Sequence, residues 1–331
     1  MRKPWKGFAT FSAVAILAFV LVLTLNSLGL WKSLLVNRKR LDNLVDSRYQ
    51  TLKTLNSFLK TLGSWNPDEQ TLDIWWDAHK LSWQNIKLIS LSGQINLNTL
   101  SPFLLSDSLL KTTLNNHSVN DFVNFRLKEG LQAKVLSFSD LFTVTSLKTE
   151  YCSLSLFNVN TADEIMIEKV IDERTGDESL GSSFRSSLRQ FRAQHQIMVQ
   201  TDLDTLIGDA QGLQQLLTVE PEIDVNTATP FVLQALLEDP DFALTSADAK
   251  LNILLNGRQV KPWTKETLAQ ALGLDLQHST LLQYLGTRTR FVEIDISTTH
   301  CLGHFQVMIS YSPDSPPKLN FRILKKNMSF T

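Results

Sequence analysis

Residues 8–31 read FATFSAVAILAFVLVLTLNSLGLW, a run of 24 residues without one charged side chain. As a helix this run would be about 36 Å long, at about 1.5 Å per residue, which is enough to cross the hydrocarbon core of a bilayer. A short basic leader, MRKPWKG, precedes the run, and Lys32 and a basic triplet at 38–40 follow it. The sequence therefore predicts a transmembrane segment over 8–31, with the rest of the chain held on one side of a membrane.

Segments of this composition belong to three classes. A buried helix of a soluble protein would carry a polar face, whereas this run has only scattered Thr, Ser and Asn residues. A secretory signal peptide would have an apolar core of about 7–15 residues and a small-x-small cleavage site. In the third class, the type IV pilin-like leaders, a peptidase cuts on the cytoplasmic side between Gly and Phe and leaves the helix attached. Gly7-Phe8 resembles that class, and an uncleaved signal anchor is the alternative.

The remaining composition is that of an ordinary globular protein. The chain has 331 residues, of which 43% are hydrophobic and 20% charged, enough for two or three domains. Its formal net charge of −1 would become −4 if the three basic residues of the leader were removed. Such a body argues against nucleic-acid binding, because modules that bind a phosphate backbone present a basic patch. Cys152 and Cys301 are far apart in sequence, and either a disulfide or two separate buried thiols fits them.

The apolar pattern continues beyond the membrane segment. Between residues 34 and 62, Leu, Val and Phe recur at helical spacing, and Gly63 followed by Asn66-Pro67 ends the pattern. This predicts one helix of about fifty residues, with its first half in lipid and its second half packed on a domain. A linker between an anchor and a domain would instead be rich in Gly, Ser and Pro.

Aromatic and alternating segments flank the central part of the chain. We expect the tryptophans at 65, 75, 76 and 83 to fill the seam between the long helix and a small sheet, rather than to stack on a ligand. Residues 85–98 alternate and predict a β-hairpin with Ser92-Gly93 in its turn. Three further strands are predicted near the end of the chain, over 289–298, 304–312 and 318–325. Strands on both sides of a helical segment predict one discontinuous α/β domain.

A motif occurs three times between these strands. Its copies are Ile95-Asn-Leu-Asn98-Thr-Leu, Phe157-Asn-Val-Asn160-Thr-Ala and Ile223-Asp-Val-Asn226-Thr-Ala. Each predicts a strand-like approach that ends at an Asn N-cap, namely Asn98, Asn160 or Asn226, with helices over 162–174 and 229–237 after the last two. Those two copies are 66 residues apart and stay similar beyond the motif. We therefore predict two related helical units, over about 157–222 and 223–288.

In this order, the features resemble the K-type minor pseudopilin of type II secretion, general secretion pathway protein K. The residues that carry the resemblance are Lys6-Gly-Phe8, Gly93-Gln-Ile-Asn-Leu-Asn98, the VNTA sequences at 159–162 and 225–228, and Arg288-x-Arg-Phe291. Counted from Phe8, the fifth residue is Ser12, where most pilins carry Glu and the K-type family similarly lacks it. An unpaired carboxylate in lipid is costly, so a subunit without a neighbour above it can do without this Glu.

The resemblance implies an α+β, pilin-like fold with a large inserted helical lobe. The implied parts are a leader (1–7), the transmembrane part of the long helix (8–31), the rest of that helix with the first part of the α/β domain (32–98), the inserted lobe (99–288) and closing strands (289–331). It also implies cleavage between Gly7 and Phe8 by a prepilin peptidase, and a single pass through the inner membrane with the globular part in the periplasm.

The same resemblance implies a place at the pseudopilus tip, where the protein would prime assembly and limit growth during protein export. The implied partners are the I- and J-type minor pseudopilins, the major pseudopilin and the inner-membrane assembly platform. Some family members bind calcium in the lobe. Candidate ligands here are Asp172, Asp177, Asp239 and Asp241, with Glu173, Glu178 and Glu238 nearby. A solvated loop or helix end is the simpler interpretation of these carboxylates.

No catalytic motif is recognisable, so we predict that the protein is not an enzyme and requires no cofactor. The six histidines lack metal-ligand spacing, and neither G-x-S-x-G nor a phosphate-binding glycine loop occurs. Two alternatives share the architecture. A membrane-anchored DNA receptor would use the Asn-Thr-Ala motif to begin a helix-hairpin-helix, but both copies are acidic where phosphate would lie and lack the Gly-Ile-Gly turn. A minor pilin of a type IV pilus would have the same overall arrangement.

Overall fold

The computed structural model describes residues 5–96, 151–152, 157–194, 197–208, 210, 213–221, 223–238, 242, 244–276, 279–312 and 316–330. In these residues a long N-terminal helix, a small antiparallel sheet and a set of shorter helices are combined, which confirms the predicted α+β class. Asn98, Asp239, Asp241 and the first part of the predicted lobe, 99–150, lie outside the described residues.

Helix α1 runs without a break from Trp5 to Leu62, a length of 58 residues. This confirms the prediction of one long helix that ends before Gly63. Its first part is exposed and apolar, from Phe11 at 73% exposure to Trp31 at 65%. Farther along, one face becomes buried, and Leu55, Phe58 and Leu62 have no exposed surface. The two parts of α1 therefore have different surroundings.

Helix α2, Leu72–His79, begins at Thr71, whose Oγ1 accepts a hydrogen bond from the backbone N–H of Ile74. The ring of Phe58 lies among three tryptophans, with centroid distances of 6.3 Å to Trp75, 5.7 Å to Trp76 and 5.4 Å to Trp83. Trp65 is buried as well and donates its indole N–H to Gln70 O at 2.9 Å. The tryptophans thus fill the seam beside α1, as predicted.

The predicted hairpin over 85–98 is wrong. Strand β1, Ile86–Ser90, is followed by the short strand β2, Ile95–Asn96, but the two do not pair. β2 runs parallel to β3, Tyr151–Cys152. The turn after β1 does not lead back along β1, because its backbone bonds to the second helical unit instead. Ser92 O accepts a hydrogen bond from Asp224 N at 2.7 Å.

Residues 157–219 form the first helical unit. It contains β4 (Phe157–Asn158), α3 (Glu164–Thr175), α4 (Glu178–Ala193), α5 (Gln200–Ile207) and β5 (Leu217–Thr218). β4 and β5 pair in parallel and close the unit on itself. Phe157, Ile167 and Ile171 are fully buried in its apolar core.

Residues 223–286 form the second unit, in which the same order of elements recurs, except that the short helix before its last strand is a 3₁₀ turn, Leu213–Gln215, in the first unit. It contains β6 (Ile223–Asp224), α6 (Pro230–Leu237), α7 (Ala247–Val260), α8 (Lys265–Leu272), α9 (Leu281–Tyr284) and β7 (Leu285–Gly286). β6 and β7 again pair in parallel, around a separate apolar core. The sequence repeat thus corresponds to a repeat in structure.

The chain ends in three long strands, β8 (Phe291–Ser297), β9 (Cys301–Tyr311) and β10 (Leu319–Phe330). Their bounds agree with the three predicted closing strands to within a few residues. Together with β1 they make an antiparallel sheet in the order β1-β8-β9-β10, and its buried face packs on α1. Because β1 and β8 are adjacent in the sheet, both helical units are an insertion between two paired strands.

The insertion leaves the sheet at the end far from the apolar part of α1. At the near end, Thr298 lies beside Thr51, with 3.4 Å between their Oγ1 atoms. At the far end, a Cβ built on Gly63 would lie 3.7 Å from the ring of Phe321. That end is about 45 Å along α1 from Trp31, at about 1.5 Å per residue. The helical units are therefore held well away from the apolar segment.

Candidate functional site

Among the described residues, α1 is the one helix that is long and apolar enough to cross a membrane, which makes it a candidate single span. Hydroxyl groups in its apolar part donate hydrogen bonds to backbone oxygens of the same helix. Thr24 Oγ1 donates to Leu21 O and Ser27 Oγ donates to Leu23 O, both at 2.8 Å. Because lipid offers no hydrogen bonds, such internal pairing lets polar side chains remain in a membrane span.

The predicted cleavage site, Gly7-Phe8, lies in the first turns of α1, which is helical from Trp5. Ser12 follows Phe8 by about one turn, and Asp42 is the first acidic residue of the chain. The candidate span therefore carries no carboxylate. Cleavage itself stays a prediction.

Asn160 and Asn226 do not cap helices, so that prediction was wrong. The N-caps are Asp163, whose carboxylate accepts from Ile165 N and Met166 N, and Thr229, whose hydroxyl accepts from Val232 N. The reason is a tight turn between strand and helix. In the first unit, the N–H groups of residues 161 and 162 both donate to Asn158 O, and in the second the N–H groups of 227 and 228 donate to Asp224 O. Each helix consequently begins after its motif.

Each Asn instead connects its turn to distant segments of the chain by hydrogen bonds. Asn160 accepts from Met198 N at 2.9 Å and donates to Met198 O at 3.0 Å. Asn226 accepts from Trp263 N at 2.8 Å and donates to Thr287 O at 2.8 Å. An amide side chain both donates and accepts, which explains the choice of Asn at these two positions.

An arginine completes the same arrangement in each unit. Arg192 Nη2 donates to the backbone oxygens of Val159, at 2.9 Å, and Ala162, at 2.6 Å. Arg258 Nη1 donates to Val225 O, at 3.1 Å, and Ala228 O, at 2.5 Å. Burial lowers the pKa of both guanidinium groups. Neither arginine was predicted to have this role, although their separation of 66 residues equals that of the two motifs and is the signal in the sequence that links them.

The second unit meets the sheet at a buried polar junction centred on Asp224. The Asp224 carboxylate accepts from Thr289 Oγ1 at 2.6 Å, from Thr227 Oγ1 at 3.2 Å and from Asn226 N at 2.9 Å. Burial raises the pKa of Asp224 to about 6, against the lowering effect of these donors. Apart from its place in the repeated motif, nothing in the sequence marks Asp224.

On the sheet side, the junction is formed by the turn after β1. Ser92 Oγ accepts from the backbone N–H groups of Arg290 and Phe291, both at 2.8 Å. Gly93 approaches the second unit so closely that a Cβ there would lie 2.5 Å from Thr227 O. The second unit is thus attached to the sheet through backbone as well as side chains.

The first unit is attached in turn to the second. At the position equivalent to Asp224 it has Asn158, whose Nδ2 donates to Gln283 O at 3.1 Å. Arg290 Nη1 also reaches Thr218 Oγ1 at 3.3 Å. The same motif position therefore has different neighbours in the two units. Asp224 contacts Thr289 beside the sheet, and Asn158 contacts the second unit.

The calcium candidates in the described residues have other roles or surroundings. Asp177 is the N-cap of α4, and hydrogen bonds from Ser179 and Leu180 lower its pKa. Burial, followed by the charges of neighbouring carboxylates, raises the pKa of Asp172, whose carboxylate lies against Gly181. The described residues hold no group of three or more His, Cys, Asp or Glu side chains placed to bind a metal. Calcium binding stays a prediction from resemblance.

No protein-family model matches the chain, and no curated protein is significantly similar to it. A functional assignment therefore rests on the geometry of the chain itself: the apolar part of α1, the inserted units and the junction that joins them to the sheet.

Proposed function

We propose that the chain is a K-type minor pseudopilin of a type II secretion system, which primes assembly of the pseudopilus and occupies its tip. The observation that carries the proposal is the unbroken α1, whose exposed apolar part continues directly into a part packed on an antiparallel sheet. Such a helix holds the domain on a stiff stalk, unlike the flexible linker of an anchored binding module. This combination supports a pilin-like fold, in which subunits associate through their long helices.

The placement of the inserted units supports a position at the tip. They join the sheet between β1 and β8, at the end of the sheet near Gly63 and far from the span. A subunit added beyond that end would meet the insertion rather than a free α/β domain. Steric exclusion of further subunits is therefore the mechanism by which the chain would limit growth.

The absence of acidic residues before Asp42 supports the same position. In the pilins that the leader resembles, a Glu near the mature amino terminus is thought to neutralise the terminus of a neighbouring subunit. Ser12 occupies this position here and brings no charge into the membrane. A first subunit, with no neighbour above it, does not need that charge pair.

The geometry of the repeated turns disfavours the helix-hairpin-helix alternative. Each repeated turn is contacted by one arginine, Arg192 in the first unit and Arg258 in the second. Both donate hydrogen bonds to carbonyl oxygens of the turn. Their guanidinium groups are therefore engaged with the protein backbone rather than directed outward at phosphate. In the second unit the buried Asp224 adds a carboxyl group at the turn.

Processing of the leader is the first test. We expect the mature chain to begin at Phe8 when the full protein is expressed in membranes with a prepilin peptidase, and to begin at Met1 without it. Gly7→Leu should abolish the cut, whereas Gly29→Ala, a glycine with no atom within 4 Å of an added Cβ, should leave it unchanged. Intact-mass spectrometry reads the outcome. A Met1 terminus in both membranes would exclude the pilin class.

Partner capture then separates a secretion system from a type IV pilus, since both would process the leader. We expect the full-length protein to co-purify with I- and J-type minor pseudopilins and not with minor pilins of a type IV pilus.

Deletion of the chain should change pseudopilus length and stop protein export. Unchanged length and export in the deletion strain would refute the role at the tip.

A further inference from the structure

A pocket of about 380 Å³ lies between α1 and the end of the sheet nearest the span. α1 contributes one wall, the turn between β8 and β9 contributes His300, and the end of β10 contributes Phe330. The α1 residues that line it are Val36, Lys39, Arg40, Asn43 and Leu44. The pocket lies where the end of β10 meets α1.

The lining combines positive charge with exposed apolar surface. Lys39 and Arg40 bring two cations, His300 adds an imidazole, and no described residue lining the pocket is acidic. Val36 is 59% exposed and Phe330 is 47% exposed. A phosphate next to alkyl groups complements such a surface, because Arg and Lys bind phosphate oxygens while the apolar side chains cover hydrocarbon.

The near edge of the pocket lies close to the expected surface of a membrane. Val36 and Leu44 lie about 8 Å and about 20 Å beyond Trp31 along the helix, at about 1.5 Å per residue. Lipid headgroups occupy the first several ångströms beyond the hydrocarbon core. Exposed leucines at 34, 35 and 41 continue the apolar surface past Lys32, so hydrocarbon contact extends beyond Trp31 and the near edge of the pocket, at Val36, lies at the headgroup layer.

We propose that this pocket binds the headgroup of an anionic phospholipid, such as phosphatidylglycerol. Lys39 and Arg40 contact the phosphate, and Val36, Leu44 and Phe330 pack on the glycerol and the first methylenes of the acyl chains. The bound lipid holds the base of the domain against the bilayer. This inference depends on α1 spanning a membrane and not on the secretion role, so each can fail without the other.

The test measures lipid selectivity of the full-length protein. The protein is purified in detergent, mixed with equal amounts of phosphatidylglycerol and phosphatidylcholine, and analysed by native mass spectrometry for retained lipid. Lys39→Gln/Arg40→Gln is compared with the matched control Lys32→Gln/Arg38→Gln, which removes two charges from the same helix outside the pocket. Phe330→Ser tests the apolar wall without a change of charge. Circular dichroism establishes that each variant is folded.

We expect the wild-type chain to retain phosphatidylglycerol selectively. The pocket variant should lose about tenfold or more in the ratio of retained phosphatidylglycerol to phosphatidylcholine, and the control less than about threefold. Phe330→Ser should lower retention of both lipids. Equal losses in the two charge variants would mean diffuse attraction to anionic lipid and would overturn the proposal, as would unchanged selectivity in the pocket variant.

Discussion

Arg192 and Arg189 lie three residues apart on α4 but differ in what their side chains bind. Arg192 donates two hydrogen bonds to the backbone of the repeated turn, whereas Arg189 is 63% exposed and pairs with Glu164 at 3.0 Å. The first arrangement satisfies carbonyl groups that have been removed from water. The second is an ion pair of the kind that contributes little to stability.

We therefore expect Arg192→Met to lower the free energy of unfolding by about 2–3 kcal/mol, because it leaves the turn carbonyls without a charged donor. Arg189→Met should lower it by less than about 1 kcal/mol. Chemical denaturation of the full-length protein in detergent measures both. Similar losses in the two variants would contradict the structural role of Arg192.

Asp224 makes the stability of the junction depend on pH. Its pKa is raised from 3.8 to about 6, so the folded chain holds the proton more tightly than the unfolded chain. This contribution favours the folded state below about pH 4 and is lost as the pH rises through about 6. A shift of about two pKa units corresponds to a loss of about 3 kcal/mol across that window.

Asp224→Asn, the residue found at the equivalent position 158 of the first unit, should remove this pH dependence. Asp177→Asn is the control, because its solvent-exposed carboxylate has a lowered pKa and titrates below this window. Thermal unfolding between pH 4 and pH 7.5 provides the comparison. A decline of equal size in wild type and Asp224→Asn would assign the effect to other groups.

At the scale of elements, α1 is one continuous helix whose two parts have different surroundings. The part near Phe58 is covered by the sheet and by the tryptophan cluster, and the part before Ser47 is exposed. Helix propensity does not distinguish them, because both parts are rich in Leu. The distinction comes from what each part packs against.

Phe58→Ala should destabilise the domain by about 3–5 kcal/mol, because it opens a cavity among three indole rings. Leu35→Ala removes a side chain that is 59% exposed and should change the stability of the domain by less than about 0.5 kcal/mol. Tryptophan fluorescence during denaturation measures the effect, because four of the seven tryptophans, at 65, 75, 76 and 83, lie beside α1 in this domain. Equal stability of the wild type and Phe58→Ala would show that the cluster does not hold α1.

At the scale of the whole molecule, the described residues contain three main apolar cores, one in the sheet-bearing domain and one in each helical unit. Polar contacts join them at Asp224 and Asn158. Separate apolar cores can open as separate cooperative units. The first unit lies at the end of this series, since it is held through the second unit and Arg290.

Ile167→Ala, in the core of the first unit, should therefore speed backbone hydrogen exchange across 157–219 and leave β8 and β9 unchanged. Leu233→Ala, the matched change in the second unit, should speed exchange across 223–286. Both residues are fully buried, and such truncations cost about 2–5 kcal/mol. Hydrogen exchange of the full chain, read by mass spectrometry, measures the pattern. Faster exchange in β8 of the Ile167→Ala variant would mean that the cores open together.

The sequence by itself determined the features that depend on neighbours along the chain. The periodicity up to Leu62 predicted the length of α1, alternation predicted β8, β9 and β10, and similarity at a fixed separation predicted two related units. Helical and strand periodicities are set by side chains a few residues apart, so they are visible in one dimension. The same holds for the apolar run that makes α1 a candidate span.

Only the tertiary structure decided which groups meet across long separations. It paired β1 with β8 rather than with its neighbour, moved the helix caps to Asp163 and Thr229, and gave Asn160, Asn226, Arg192 and Arg258 their partners. Except at the caps, these contacts join residues 30 or more positions apart, as in the hydrogen bonds that Arg192 donates to Ala162 O and that Thr289 donates to Asp224. Their partners are chosen by the free energy of the whole fold, in which most buried donors and acceptors are satisfied at once. Local pattern carries no information about that choice.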